Sequence, residues 1–169
     1  MKEKLAWAAV LALYGSCWFL PIFDDAVGYA GAELAHTQFW ELITEGRAIA
    51  GAGDVFAVIF VAIGWLANEV FVLGLAACRR WPRAAVRLFA FALGVMLSWQ
   101  VAFPEEFPLL IGYWFWVAAG TVALGLAAGR LAHTTRRGMG AALAEPLTLA
   151  LLLAPVLNAA LGVAVSAQP

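Results

Sequence analysis

Residues 55–77 read VFAVIFVAIGWLANEVFVLGLAA, and residues 78–87 follow as CRRWPRAAVR. The first stretch is apolar throughout except for Asn68 and Glu69, while the second carries four arginines. A bilayer core about 30 Å thick accepts about 20 mainly apolar residues of helix, so residues 55–77 are predicted to cross a membrane. An arginine-rich turn directly after a span marks the cytoplasmic side.

Working outward, four more stretches have the same character: residues 5–23, 88–103, 108–129 and 147–165. Open backbone cannot face lipid, and the alternation of barrel strands is absent, so these are predicted helices. Composition agrees, with 64% apolar and 12% charged residues and a mean hydropathy of +0.89. Soluble domains average about 45–50% apolar and about 25% charged residues, which excludes an ordinary water-soluble globule. The sequence therefore predicts an all-α, polytopic membrane bundle of five transmembrane helices.

Charge orients it. Lys2, Lys4, Arg79, Arg80, Arg83, Arg87, Arg130, Arg136 and Arg137 fall on one side with only Glu3 and Glu145. Asp24, Asp25, Glu33, Glu41, Glu45, Asp54, Glu105 and Glu106 fall on the other, with the single cation Arg47. Lysine and arginine mark the inside, so the N-terminus is expected in the cytoplasm and the C-terminus outside. The first span resembles a secretory signal in its basic start. It is read as a retained anchor, because Trp18-Phe19-Leu20-Pro21 stands where a small-residue cleavage site belongs.

Residues 24–54 form the one sizeable loop, on the acidic side. Within it, Ala32, Ala35, Phe39 and Ile43 line one helical face and Glu33, Thr37 and Glu41 another, predicting a short interfacial helix over 29–43. Gly46 and Gly51-Ala52-Gly53 would let the chain turn back into the bilayer. The loop reads either as a lid or docking surface, or simply as cover for the bundle. Pro104-Glu105-Glu106-Phe107-Pro108 is predicted as a tight outer turn, with Pro108 suited to a first helical position. Inside, Trp81 fits a headgroup-level anchor, and the four arginines around it serve either topology or lipid phosphates.

Glu69 is the most informative single residue. Counted from the inner end of its span, it lies roughly 12 Å inside the hydrocarbon. An ionisable group there is costly and by default a candidate functional site. The same counting puts Tyr14, Ser16, Cys17, Ser98, Gln100, Thr121 and Asn158, with Asn68, at depths of roughly 12–18 Å. This intramembrane polar layer has two readings. Either Glu69 binds a proton, cation or polar substrate along it, or its members form interhelical hydrogen bonds worth about 0.6–2 kcal/mol each. No Asp/Glu/His chain traces a relay across the membrane. Pro155 breaks the last span near the same depth. Gly120, Gly125 and Gly129, with Ala118, Ala119 and Ala123, give the fourth span a small-residue face, and Gly112-Tyr113-Trp114-Phe115-Trp116 opens it with an aromatic belt.

Catalytic signatures are missing from the sequence. There is no Gly-x-Ser-x-Gly, phosphate-binding loop, His-Glu-x-x-His or dinucleotide fingerprint. Cys17 and Cys78 fall at different depths and form no Cys-x-x-Cys; His36 and His133 fall on opposite sides. Asp24, Asp25, His36 and Glu41 have the chemistry to coordinate a cation, but nothing in their spacing demands it. No metal, cofactor or catalytic residue is assigned, and no nucleic-acid partner is expected.

Trp65-Leu66-Ala67-Asn68, then Leu73-Gly74-Leu75 and a basic turn, and later Gly112-Tyr113-Trp114-Phe115-Trp116, resemble small bacterial multi-span membrane proteins of unassigned function. The likeness covers the first four spans and departs at Glu69, where such sequences carry proline. It implies a bacterial inner-membrane location and no activity. The expected function is a non-enzymatic subunit or scaffold of a larger membrane assembly, touching lipid and other membrane subunits or its own copies. The alternative is a small transporter or ion- or proton-conducting protein using Glu69. An intramembrane enzyme using the outer carboxylates is a third.

Overall fold

A computed structural model describes residues 2–23, 26–41, 44, 52–102, 110–136 and 138–166. Its elements in chain order are α1 (Lys2–Cys17), β1 (Pro21–Phe23), β2 (Ala26–Val27), α2 (Gly28–Glu41), α3 (Ala52–Ala77), α4 (Pro82–Ala102), α5 (Ile111–Thr135), α6 (Met139–Leu143) and α7 (Pro146–Ser166). The architecture is all-helical apart from the small antiparallel β1–β2 ribbon. Four helices, α3, α4, α5 and α7, are long and apolar enough to cross a membrane.

The helix boundaries refine the sequence reading. Residues 5–23 do not form one helix, because α1 stops at Cys17 after 16 residues, about 24 Å of rise. Pro21 disfavours helix at the residue before it and has no N–H to donate. The chain turns instead, with the Phe19 and Leu20 amides both donating to the Ser16 carbonyl at 3.1 Å. Helix α4 starts at Pro82 rather than at 88, so Arg83 and Arg87 lie on the helix and not in a loop. Proline at the first helical position explains the early start. Helix α5 runs on to Thr135 and ends where Arg136 takes a left-handed φ of 54°. The segment read as helical over 29–43 forms α2, and α6 is an addition no periodicity announced. The turn at 103–109, the glycines at 46 and 51, Asp24, Asp25, Ile43, Glu45 and Arg47 lie outside the described residues.

Helix α4 is the axis of the bundle, packing against α3, α5 and α7, while α1 lies along α5 and α3 touches α7. Its buried residues include Ala85, Phe89, Ala92, Gly94, Met96 and Ser98. Small residues let the backbones close up, which is how helices associate where lipid is as apolar as leucine. A Cβ on Gly94 would collide with the Leu152 carbonyl of α7 and stand 3.1 Å from that of Leu151. Leu151 is the residue whose carbonyl loses its helical donor to Pro155, so the carbonyl freed by the proline and the glycine meet at one crossing. Gly120 opens a second close approach, where a Cβ would stand 2.9 Å from the Met96 sulfur. Gly125 and Gly129 meet nothing within 4 Å, so the glycines of the fourth predicted span divide between an inner and an open face.

Outside this axis the apolar surface is bare. Only 18% of the most apolar stretch of α3 and 17% of that of α7 is buried. Leu149, Leu153, Leu157 and Leu161 of α7 are all exposed.

Candidate functional site

Tyr14 and Asn68 are the sequence-nominated polar residues that the fold brings together. The Tyr14 hydroxyl donates to Asn68 Oδ1 at 3.2 Å, joining α1 to α3. The contact is held by an aromatic column. The Tyr14 ring stacks on Phe71 with centroids 4.4 Å apart, and Phe71 meets Phe89 edge-on at 5.3 Å. Trp18 closes one end of the column on Tyr14, and Trp7 the other on Phe89. Gly74 is the hole for the Phe89 ring, since a Cβ there would stand 2.7 Å from it. Phe71 and Phe89 carry no polar signal in the sequence. Only their spacing from Gly74 and Tyr14 in three dimensions reveals the column.

The other nominated residues are satisfied separately. The Ser98 hydroxyl donates to the Val95 carbonyl at 2.6 Å, Thr121 to Val117 at 2.9 Å, and the Cys17 thiol to Tyr14 at 2.9 Å. Each bonds back into its own helix, a common way to hold a small polar group in an apolar setting. Asn158 reaches across from α7 to the Phe56 carbonyl of α3 at 3.3 Å. Phe56 and Asn68 are about 18 Å apart along α3, so the two cross-helix contacts lie at different levels. Ser16 accepts the turn amides after α1, and Gln100 and Thr121 are exposed.

Glu69 follows Asn68 but points elsewhere. Adjacent helical residues diverge by about 100°, and here the turn carries the carboxyl from the α1 contact to the outside. Glu69 is exposed, and among the described residues it makes no hydrogen bond or ion pair. Its neighbours at three- and four-residue spacing are Leu66 and Leu73, with Ile59 two turns before Leu66, all exposed. A single carboxyl therefore occupies an exposed, otherwise apolar face of α3, eight residues before its end at Ala77.

The basic residues collect at one end. Glu145 accepts from Arg87 at 3.1 Å, with Arg83 at 3.7 Å, tying the start of α7 to α4. Arg130 pairs with Glu3 at 2.9 Å and donates to the Cys78 carbonyl at 3.1 Å, joining α5, α1 and the end of α3. A cation at that carbonyl also suits the negative end of the α3 dipole. Glu3 and Glu145, the two acids assigned to the basic side, are thus each held by arginine. Trp81 is exposed at this end, with the Arg80 guanidinium 5.6 Å from its ring centroid. At the start of α5, Tyr113 turns inward and donates to the Met96 carbonyl at 2.9 Å, whereas Trp114 is exposed. The aromatic run is split between packing and surface.

On α2, the Trp40 indole donates to His36 Nε2 at 2.9 Å. Among the described residues no three His, Cys, Asp or Glu side chains gather where a metal ion could be held. Compared with known protein families, curated proteins and solved structures, the chain finds no match.

Proposed function

We propose that the chain is a non-enzymatic membrane subunit that packs against other membrane proteins. Its helices would cross a bacterial inner membrane five times, N-terminus inside, with α1 as the fifth crossing beside α5. The observation that carries this reading is the position of Glu69, outward on an apolar face rather than inward on a path. Ionisable residues at membrane depth face a protein interior or a water-filled cavity almost without exception. A carboxyl on the outer face of an otherwise closed bundle is therefore supplied with its surroundings by another chain. The closed interior supports the same reading: alanine, glycine and the aromatic column fill the space between α1, α3, α4 and α5. The ion pairs gathering Arg83, Arg87 and Arg130 at one end support the inside-positive orientation.

A second reading, a proton- or cation-conducting protein using Glu69, draws on a carboxyl that directly follows Asn68, the acceptor of the Tyr14 hydroxyl. Reconstitution into vesicles enclosing a pH-sensitive dye separates the two. As a subunit, the wild-type chain leaks protons no faster than empty vesicles, and Glu69→Gln changes nothing. A flux present in the wild type and lost in Glu69→Gln overturns the subunit reading.

A further inference from the structure

We infer that the outer face of α3 docks a membrane-spanning helix of another protein that carries a lysine or arginine at the depth of Glu69. The inference rests on the subunit reading and names the chemistry of the partner. The face consists of Ile59, Leu66, Glu69 and Leu73, on one side of α3, with relative exposures of 40%, 36% and 57% for the three aliphatic residues in order. Lipid chains cover such aliphatic side chains well but offer nothing to a carboxyl. Polar groups that bond their own helix, as Ser98 and Thr121 do, need no outside partner, whereas Glu69 has no bond of this kind among the described residues.

Charge decides between a second copy and a different chain. Every lysine and arginine of this sequence lies at an end of an apolar stretch or in a connection: Lys2 and Lys4, Arg47, Arg79 to Arg87, Arg130, and Arg136 with Arg137. A second copy inserted in the same orientation brings another Glu69 to the level of the first and no cation with it. Like charges facing one another in a medium of low dielectric repel strongly, while an opposite charge a few ångströms away is attracted just as strongly. The complementary group must come from a helix this chain does not contain. Leu66 and Leu73, one turn on either side of the carboxyl, supply apolar contact flanking the ion pair and keep it dry.

The test uses the full chain in phosphatidylcholine vesicles, whose headgroups carry no net charge. The probe is a dansyl-labelled synthetic helix of about 20 leucine and alanine residues with one central lysine, compared with the same helix carrying leucine there. Energy transfer from the protein's tryptophans reports association. Wild type is expected to bind the lysine helix at least ~10-fold more tightly than the leucine helix, a preference reduced to ~3-fold or less in Glu69→Gln and abolished in Glu69→Leu. Equal binding of the two helices by wild type overturns the inference, as does a lysine preference that survives in Glu69→Leu. Circular dichroism confirms that each variant retains its helices, and Glu69→Gln serves if Glu69→Leu does not fold. Mixing donor- and acceptor-labelled copies of the full chain covers the other occupant. Association between copies that requires Glu69 assigns the face to a second copy and overturns this inference while leaving the subunit reading intact. Only the proton-flux result bears on that reading.

Discussion

The two faces of α3 differ in shape more than in polarity. Inward, Ala67, Phe71 and Gly74 are buried, a small–large–small sequence in which Phe71 packs on Tyr14 and Phe89 and Gly74 admits the Phe89 ring. Outward, Leu66 and Leu73 stand exposed around Glu69. Helix α7 repeats the contrast, with Thr148, Pro155 and Ala159 inward and Leu149, Leu153 and Leu157 outward. In water the outer face of a helix would be polar and its inner face apolar. Where the solvent is hydrocarbon both are apolar, and association depends on how closely small residues let backbones and rings approach. Against that background one carboxyl on an outer face is the exception, and the proposed docking of a second helix rests on it.

Substitutions sharpen or break this contrast. The largest effect is expected at Gly94, where a valine side chain would meet the α7 backbone, which cannot yield as a side chain can. Gly94→Val should cost about 3 kcal/mol or more, read as a lower denaturation midpoint in detergent micelles titrated with dodecyl sulfate. Unchanged stability would mean that α4 and α7 do not cross closely. Next is Phe71→Ala, which empties the centre of the aromatic column and should cost roughly 2–4 kcal/mol in the same titration. Tyr14→Phe keeps the ring and removes one interhelical hydrogen bond, for a loss of about 0.6–1 kcal/mol. Glu145→Gln, at the partly exposed arginine pair, should cost about 0.5 kcal/mol, and less as salt is raised. Smallest is Glu69→Leu, expected to leave the isolated bundle's midpoint within ~0.5 kcal/mol of wild type. A large loss there would show that Glu69 is part of the bundle, and the contrast between the faces would fail.

Several features were legible before any fold was seen. Four of the apolar stretches appear as helices long enough to cross a membrane, because length and hydropathy are properties of the local chain. The amphipathic segment after Asp25 is a helix for the same reason. The end of α1 was less legible: residues 5–23 are mainly apolar, and hydropathy does not register the break that Pro21 imposes. Sharing of a polar level could not be read from depth alone. Depth places Tyr14, Asn68, Thr121 and Asn158 along the membrane normal but says nothing about rotation around each helix, and rotation decides who meets whom. Tyr14 reaches Asn68 across two helices, while Thr121 turns to its own carbonyl.

By itself the sequence determined that the chain is helical and apolar enough for a membrane, how its charges are segregated, and that Glu69 is the one charged residue of its apolar stretch. These follow from composition along the chain, which needs no knowledge of neighbours. Only the tertiary structure decided that Phe71 and Phe89 join Tyr14 in one column, that Gly94 faces the α7 backbone at Leu151 and Leu152, and that Glu69 is exposed. When both faces of a helix are apolar, no periodicity in the sequence marks the inside, and the choice falls to the fit of surfaces that come from distant parts of the chain.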